Sequence, residues 1–310
     1  MKISFVIPCY RSEKTIAAVV DEIRAAMAAR PGADYEVVMV SDHSPDAVYA
    51  VIADLCRDDP GHLRGMELAR NFGQHAALLA GYARASGDYV VSLDDDGQTP
   101  VSEFWSLFDK LQDGGFDVVY ASYSEKKHGL LRNWGSWVND CMTCWLLDKP
   151  RNLKVTSFFV ARRFVVDEMV RYRQAFPYVI GLVLRTTRNI ANAPVTHRAR
   201  LEGVSGYTFW KLIALWMNGF TAFSVKPLRI ASLVGFVSAL GGFGLGVWAV
   251  LNKLFINPEV PLGYSSLMSV VLFIGGVIML ILGLIGEYVG RVYICLSHSP
   301  QYVISKETGK

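Results

Sequence analysis

The chain has 310 residues, of which 52% are hydrophobic and 19% are charged, and its formal net charge is +3. So small an excess of Lys and Arg argues against nucleic acid as a partner, because nucleic-acid-binding domains gather many cations on one surface. The mean hydropathy of +0.27 is high for a wholly soluble protein of this length, and the longest apolar stretches lie after residue 225.

The first 121 residues alternate short apolar runs with longer amphipathic segments. This pattern predicts strands near 3–8, 36–41, 64–69, 88–93 and 117–121, and helices near 14–29, 46–57, 74–86 and 101–112. Strands that alternate with helices of this length favour an α/β fold with a mostly parallel sheet and right-handed crossovers. Because the chain contains neither a P-loop nor a G-x-G-x-x-G pattern, the usual ATP-binding and dinucleotide-binding modes lose support.

Three adjacent carboxylates, Asp94, Asp95 and Asp96, follow the apolar run of the fourth predicted strand. A buried parallel strand delivers such residues to the edge of the sheet where α/β proteins bind ligands. Alternate residues share a face, so we expect Asp94 and Asp96 to point together, with Gln98 as a third oxygen donor. Oxygen ligands suit Mg²⁺ or Mn²⁺, which usually complete their shell with water and substrate phosphates. The alternative is a solvated turn or a helix N-cap before Pro100, since Asp is favoured in both.

Two charge-free stretches, Leu233–Leu251 and Leu267–Ile285, are each close to the ~20 residues that cross a bilayer. We expect two transmembrane helices, with spans near 230–252 and 266–289, and a pair of buried core helices is the alternative. Basic residues lie on both outer sides of the pair: Lys226 and Arg229 precede it, and Arg291, Lys306 and Lys310 follow it. The loop between the two stretches carries one cation, Lys253, and one anion, Glu259. The positive-inside rule then places the globular domain and both termini in the cytosol.

The segment 206–223 has helical apolar periodicity and includes Trp210 and Trp216, just before the first expected span. It indicates an amphipathic helix lying at the membrane interface, although a core helix would show a similar pattern. We therefore expect three parts: a globular domain over 1–205, an interfacial helix and linker over 206–227, and a membrane domain with a short cytosolic tail over 228–310.

Short motifs are spread over nearly the whole chain: Val6–Tyr10, Val40–Asp46, Arg70–Gln74, Gly87–Tyr89, Asp94–Pro100, Arg200–Tyr207, Pro227–Arg229 and Gly286–Arg291. Each is a weak signal, but their order and spacing together are specific. They resemble the family 2 glycosyltransferases, and specifically the polyisoprenyl-phosphate glycosyltransferases, which include dolichol-phosphate mannose synthases and bacterial undecaprenyl-phosphate sugar transferases.

The resemblance implies a GT-A domain that moves a sugar from a nucleotide sugar to a membrane polyprenyl phosphate, with inversion at the anomeric carbon. A UDP-sugar is the favoured donor and a GDP-sugar the alternative. The implied cofactor is Mg²⁺ or Mn²⁺. The resemblance also implies a homo-oligomer, by analogy a tetramer, in the bacterial cytoplasmic membrane.

The same resemblance assigns roles to individual residues. The donor-binding set is Pro8, Tyr10, Glu13, Asp42, Asp94, Asp95, Ser205 and Tyr207. The metal ligands are Asp94, Asp96 and Gln98. The residues implied to bind the acceptor phosphate are Lys127, Arg132 and Arg200, and the catalytic set is Asp96, Arg132 and Arg200. A solvated face is the alternative for the basic stretch that contains Lys127 and Arg132.

Departures from the family pattern leave the sugar undetermined. Glu13 stands one place later than the usual Glu of the first motif, and Gly206 replaces the Lys of a common Ser-Lys-Tyr loop. Two rival functions remain: transfer to another membrane acceptor such as diacylglycerol, and a non-catalytic, membrane-anchored nucleotide-sugar-binding protein. The intact set of Asp94, Asp96 and Gln98 argues against the second.

Overall fold

The alternating segments of the first 123 residues fold into strands and helices in the predicted order. The computed structural model describes residues 1–123, 144, 149–175, 177–196, 226–251, 255, 263–297 and 299–309. Contacts divide the chain into two compact units, one formed by Met1–Thr208 with His298–Lys310 and the other by Phe209–Ser297. Of the expected interfacial helix and linker (206–227), residues 206–225 lie outside the described residues.

The first unit contains eight described strands and six described helices. They are β1 (Lys2–Cys9), α1 (Ile16–Ala28), β2 (Asp34–Ser41), α2 (Val48–Asp58), β3 (Leu63–Leu68), α3 (Gln74–Arg84), β4 (Tyr89–Ser92), α4 (Phe104–Asp113), β5 (Val118–Tyr123), β6 (Phe159–Arg162), α5 (Arg163–Arg171), α6 (Val179–Thr186), β7 (Ile190–Val195) and β8 (Ile304–Thr308). A 3₁₀ turn, Val101–Glu103, precedes α4. The strands and helices predicted for the first 121 residues are all present, with ends within three residues of those expected; the largest difference is at α4, whose expected first turn is the 3₁₀ turn.

The eight strands form one sheet in the order β7-β5-β6-β4-β1-β2-β3-β8. Strand β6 runs antiparallel to β4 and β5, and β8 runs antiparallel to β3. The remaining neighbours are parallel. The predicted α/β class with a mostly parallel sheet is therefore confirmed, and the carboxyl ends of β1, β2 and β4 lie side by side.

Side chains of β1 alternate between two helical layers. Phe5 belongs to the core shared with α1, α2 and α4, where its ring meets that of Phe104 edge-on at 5.2 Å between centroids. On the other face, α3 packs so closely that a Cβ atom on Gly81 would lie 2.4 Å from a methyl carbon of Val6. A glycine is needed at this contact, and the close approach fixes the first residue of α3, Gln74, near the strand ends.

A buried carboxylate, Glu36, joins the amino ends of three strands. Its oxygens accept hydrogen bonds from Ser4 Oγ and from the Ser86 backbone N–H, both at 2.6 Å, and Lys2 Nζ lies at 3.0 Å. Burial alone would raise the pKa of Glu36, but these hydrogen bonds lower it below its usual value. The network holds β1, β2 and the turn before β4 in register at the end of the sheet opposite the strand ends described above.

The second unit contains two long described helices, α7 (Lys226–Leu251) and α8 (Tyr264–Leu296). Within the described part of the chain, one helical stretch is long and apolar enough to cross a membrane: Phe273–Leu296, with a mean hydropathy of 2.0. A shorter apolar stretch, Ala231–Gly244, lies in α7. Large apolar side chains on both helices are exposed, among them Phe243, Trp248, Met279 and Leu280. A count of two spans stays a prediction.

The tail after α8 contains a strand that the sequence analysis did not predict. Residues Ile304–Thr308 form β8, which lies beside β3 at the edge of the sheet. The tail therefore contributes to the same sheet as the first strands of the chain.

We predict that Glu36→Ala lowers the free energy of unfolding by about 2 kcal/mol, because it leaves the buried Ser4 hydroxyl, the partly buried Ser86 N–H and the Lys2 ammonium without this acceptor. The folded-state pKa of Glu36 is lowered, so its stabilisation is complete above the unfolded-state value of about 4.3 and is lost as the pH falls through the folded-state value. Thermal unfolding in detergent across pH 3–7 measures both effects.

The matched control for this prediction is Asp21→Ala, which removes an exposed ion pair with Arg24 on α1. An exposed pair of this kind contributes at most about 1 kcal/mol. Equal losses of stability in the two variants, or a Glu36→Ala protein whose stability still falls at acid pH as in the wild type, would contradict the role given to Glu36.

Candidate active site

The residues that follow β4 divide between the two faces of the sheet. The Leu93 N–H donates to the Val6 carbonyl at 3.3 Å, so the chain remains beside β1 as it leaves the strand. Asp95 then turns toward the loop after β1, where its Oδ2 accepts from the Tyr10 N–H at 2.9 Å. The Asp95 carbonyl accepts from Thr15 Oγ1 at 2.6 Å. Asp95 thereby joins the β4 end to the β1–α1 loop.

Asp94 is held from the opposite side by two residues that are distant in sequence. Its Oδ1 accepts from Gln74 Nε2 at 3.0 Å, and its Oδ2 accepts from the Ser157 hydroxyl. Gln74 begins α3, and Ser157 precedes β6. These two hydrogen bonds, one to each carboxylate oxygen, orient the Asp94 side chain.

Asp96 lies at the turn that leaves the strand end. Its Oδ1 accepts from the Gln98 N–H at 3.0 Å, and Gly97 has a φ of +72°, a conformation that favours glycine. Asp94, Asp95, Asp96 and Gln98 are only partly exposed. The alternative of a solvated turn does not describe Asp94 and Asp95, because these two residues accept hydrogen bonds from four residues in three other segments: the β1–α1 loop, the start of α3 and the segment before β6.

Two acids at this strand end have raised pKa values. Burial, with a smaller contribution from the charge of Asp94, raises the pKa of Asp95 to about 6, against the effect of the Tyr10 N–H. Burial raises the pKa of Tyr123 to about 12, with contributions from Asp94 and Asp96. Burial is the main cause of both shifts, and the charges of the nearby carboxylates act in the same direction.

A second buried carboxylate, Asp42, follows β2. It is 4% exposed, and its two oxygens accept from the backbone N–H groups of Phe72 at 2.7 Å and Gly73 at 2.8 Å. Burial raises the pKa of Asp42, while these two hydrogen bonds act in the opposite direction. Gly73 has a φ of +90°, so the loop before α3 requires glycine to present its amide in this way.

The remaining residues predicted for the donor differ in their surroundings. Pro8 is buried in β1 opposite Val40 of β2. Tyr10 is 44% exposed, with the Arg11 guanidinium 5.5 Å from its ring centroid. Glu13 is engaged elsewhere, because its Oε2 accepts from the Ala47 N–H at 2.9 Å and so caps the start of α2.

The structure thus brings one part of the predicted site together, whereas the other part belongs to segments outside the described residues. Pro8, Tyr10, Asp42, the Asp94–Asp96 triplet and Gln98 lie at the adjoining ends of β1, β2 and β4. Five further predicted residues lie outside the described part of the chain: Lys127, Arg132, Arg200, Ser205 and Tyr207. Their roles remain predictions.

Sequence analysis did not assign a role to Gln74 or Ser157. Gln74 belongs to the motif Arg70–Gln74, which contributed to the family resemblance but did not indicate a role for this side chain. Ser157 is 63 positions from Asp94, and nothing in the sequence pairs the two.

The carboxylates at the β4 end fit a divalent cation that is shared with a ligand. Among the described residues there is no group of three or more His, Cys, Asp and Glu side chains that would enclose a metal. Asp94 and Asp96 instead supply two oxygen-donor side chains, and Gln98 follows Asp96 at the same turn. Mg²⁺ is commonly bound in this way, by one or two carboxylates together with substrate phosphates and water.

Comparison with known proteins agrees with this arrangement. Residues 4–172 match glycosyl transferase family 2, and residues 226–292 match the GtrB C-terminal hairpin. An undecaprenyl-phosphate 4-deoxy-4-formamido-L-arabinose transferase from Salmonella paratyphi A is 30% identical over 306 residues, which cover 98% of this chain and 93% of the relative. A bactoprenol glucosyl transferase from Shigella phage SfV is 32% identical over 312 residues, with 100% of both chains covered.

A solved structure has a fold similar to that of this chain. Glucosyl-3-phosphoglycerate synthase from Mycobacterium tuberculosis, in complex with Mn²⁺ and UDP-glucose, has a TM-score of 0.52 and 20% sequence identity over 75% of this chain and 78% of its own. The expected GT-A fold is confirmed, and the chain is a glycosyltransferase that belongs to glycosyl transferase family 2.

Proposed function

We propose that the protein transfers a sugar from a nucleotide sugar to a polyprenyl phosphate at a membrane surface. The observation that carries the proposal is the strand end at which Asp94 is oriented by Gln74 and Ser157 and is followed by Asp96. The acceptor class is supported by the relatives named above, which act on undecaprenyl phosphate and bactoprenol and match 98% and 100% of this chain. A UDP-sugar is the donor that we favour, and a GDP-sugar is the alternative.

The reaction places different demands on the two substrates. An oxygen of the acceptor phosphate forms the bond to the anomeric carbon as the bond from that carbon to the nucleoside diphosphate breaks, with inversion. A phosphate monoester has a second pKa near ~6, so the acceptor is largely ionised at neutral pH and needs little help from a general base. Stabilising the departing diphosphate is therefore the main catalytic task.

The residues at the β4 end suit that task. Mg²⁺ or Mn²⁺ held by Asp94, Asp96 and Gln98 would neutralise charge on the diphosphate. Gln74 and Ser157 orient the Asp94 carboxylate, and Asp95 connects the same strand end to the β1–α1 loop. Lys127, Arg132 and Arg200 complete the proposal as cations for the acceptor phosphate.

The membrane topology that we propose is a hairpin of two spans with the catalytic domain in the cytosol. Helix α7 has 26 residues, or about 39 Å at 1.5 Å per residue, and exceeds the ~30 Å hydrocarbon core. Strand β8, after α8, lies in the same sheet as the strands before α7. A sheet cannot be divided by a bilayer, so the shared sheet supports a hairpin whose two ends lie on one side of the membrane, as two spans require.

This topology completes the proposed localisation and assembly. The protein would lie in the bacterial cytoplasmic membrane, with the segment 206–227 at its interface and both termini in the cytosol. Proximity of the domain to the bilayer would bring the lipid phosphate to the sugar donor. Assembly into a homo-oligomer remains an expectation from the family resemblance.

The first test is transfer from a panel of radiolabelled UDP- and GDP-sugars to undecaprenyl phosphate in detergent, with and without Mn²⁺. We expect label from one donor to enter the lipid phase only when the metal is present. In a parallel assay, label that enters diacylglycerol alone would show that the acceptor is this lipid and not a polyprenyl phosphate. Nucleotide binding without transfer to any lipid would instead support a binding protein.

A second prediction concerns the two residues that orient Asp94. Gln74→Ala and Ser157→Ala should each raise the Mn²⁺ concentration for half-maximal binding by about 10-fold, because supporting hydrogen bonds of this kind typically affect metal affinity by 10–100-fold. Electron paramagnetic resonance of free Mn²⁺ measures binding without turnover. The control is Gln112→Ala on α4, which loses only a hydrogen bond to Tyr89. Equal Mn²⁺ affinity in all three variants would contradict the orienting role.

A further inference from the structure

Strand β8 pairs with β3 along almost the whole length of both strands. Gly65 lies opposite Thr308, Glu67 opposite Lys306, and Leu68 opposite Ile304, with an irregularity between Glu67 and Leu68. The hydroxyl of Ser305 donates to the Glu67 carbonyl at 2.9 Å at this irregularity. The pairing is therefore specific in register.

Packing and backbone contacts stabilise this strand more than its charges do. A Cβ atom on Gly65 would lie 2.8 Å from a methyl carbon of Thr308. The absence of a side chain at Gly65 therefore lets Thr308 of β8 pack against β3. Lys306 pairs with Glu67 and Glu307 pairs with Arg84, each at 2.6 Å. At least one partner in each pair is exposed, and such pairs contribute at most about 1 kcal/mol each.

The hydrogen bonds between the tail and β3 continue to the edge of the donor site. The Ala69 N–H donates to the Val303 carbonyl at 2.8 Å. The next four residues form the donor loop, which we define as Arg70–Gly73, and its last two N–H groups hold Asp42. Gln74, which follows directly, holds Asp94.

We propose that β8 is a positioning element for the donor loop, although it does not itself contact substrate. By fixing Ala69, the tail sets the start of the loop that orients Asp42 and leads to Gln74. The tail is joined to α8 by the seven residues 297–303, so the membrane helix and the donor loop are connected through one short segment. This inference depends on the proposed role of the Asp42 and Asp94 region in binding a nucleotide sugar.

The alternative is that β8 only covers an edge strand. An uncovered edge presents free N–H and C=O groups and promotes aggregation. A covering role predicts aggregation of a tail-deleted protein without any change in the donor loop. A positioning role predicts a local change in the loop and in donor affinity.

The test is deletion of residues 300–310, followed by hydrogen exchange and nucleotide binding in detergent. We expect the amides of Phe72 and Gly73 to lose protection by at least 10-fold, while those of β1 and β2 keep theirs. We also expect at least a 10-fold rise in the Kd of UDP or GDP with Mn²⁺, and an unchanged KM for the acceptor lipid. A synthetic peptide of residues 300–310 should restore protection and affinity, and a scrambled peptide should not.

Two full-length variants complete the test. The double substitution Val303→Gly/Ile304→Gly weakens the strand without removing it, and should raise the Kd of the nucleotide about 3-fold. This variant provides the test if the deleted protein does not fold. Lys306→Ala is the matched control, because it removes an exposed ion pair and keeps the backbone ladder. Its nucleotide Kd should match that of the wild type.

The outcomes separate this inference from the proposed function. If the wild type binds neither UDP nor GDP with Mn²⁺, the proposed donor site is wrong. If the wild type binds and the folded deletion binds equally well with full protection at Phe72 and Gly73, the donor site stands and the positioning role of β8 is overturned. An unchanged nucleotide Kd in the full-length Val303→Gly/Ile304→Gly variant overturns it as well.

Discussion

The site depends on how the end of β4 separates three consecutive carboxylates. Two unit charges about 5 Å apart repel by about 3 kcal/mol at an effective dielectric constant near 20, so three ionised neighbours are costly unless each has a partner. Asp95 is stabilised by the Tyr10 amide and has a pKa raised to about 6 by burial. Asp94 has two hydrogen-bond donors and, in the proposed function, a cation shared with Asp96. The hydrogen bonds of Asp95 therefore join the β4 end to the β1–α1 loop, whereas Asp94 is held from α3 and from the segment before β6.

One short segment connects the two carboxylates on the proposed donor side. The backbone N–H groups of Phe72 and Gly73 hold Asp42, and the next side chain, Gln74, holds Asp94. The close packing of Gly81 against β1 keeps α3, and with it this segment, near the strand ends. A change in the segment would therefore disturb both carboxylates together.

The sequence was most informative where a local pattern determines structure. The apolar runs of β1 to β5 and the amphipathic periods of α1 to α4 predicted their positions to within three residues, because burial on the two sides of a parallel sheet requires those patterns. Asp94 and Asp96 were predicted to share a role for the same reason.

The sequence was least informative where structure depends on partners distant along the chain. Strand β8 reads Ile304-Ser305-Lys306-Glu307-Thr308, a polar segment whose strand conformation arises from pairing with β3. The bond from Ser157 to Asp94 joins segments 63 positions apart. Glu13 lies one place from a family position, and its carboxylate caps α2 instead of standing free for a donor.

The division of the triplet is tested most directly by isosteric substitution. Mn²⁺ binding in the presence of UDP, measured by electron paramagnetic resonance, would be compared for Asp94→Asn, Asp95→Asn and Asp96→Asn. Asparagine at 95 can still accept the Tyr10 hydrogen bond, so Asp95→Asn should bind Mn²⁺ within about 3-fold of the wild type, whereas the other two should lose at least 10-fold in affinity. Loss of Mn²⁺ binding in Asp95→Asn, with retention in Asp96→Asn, would contradict the account.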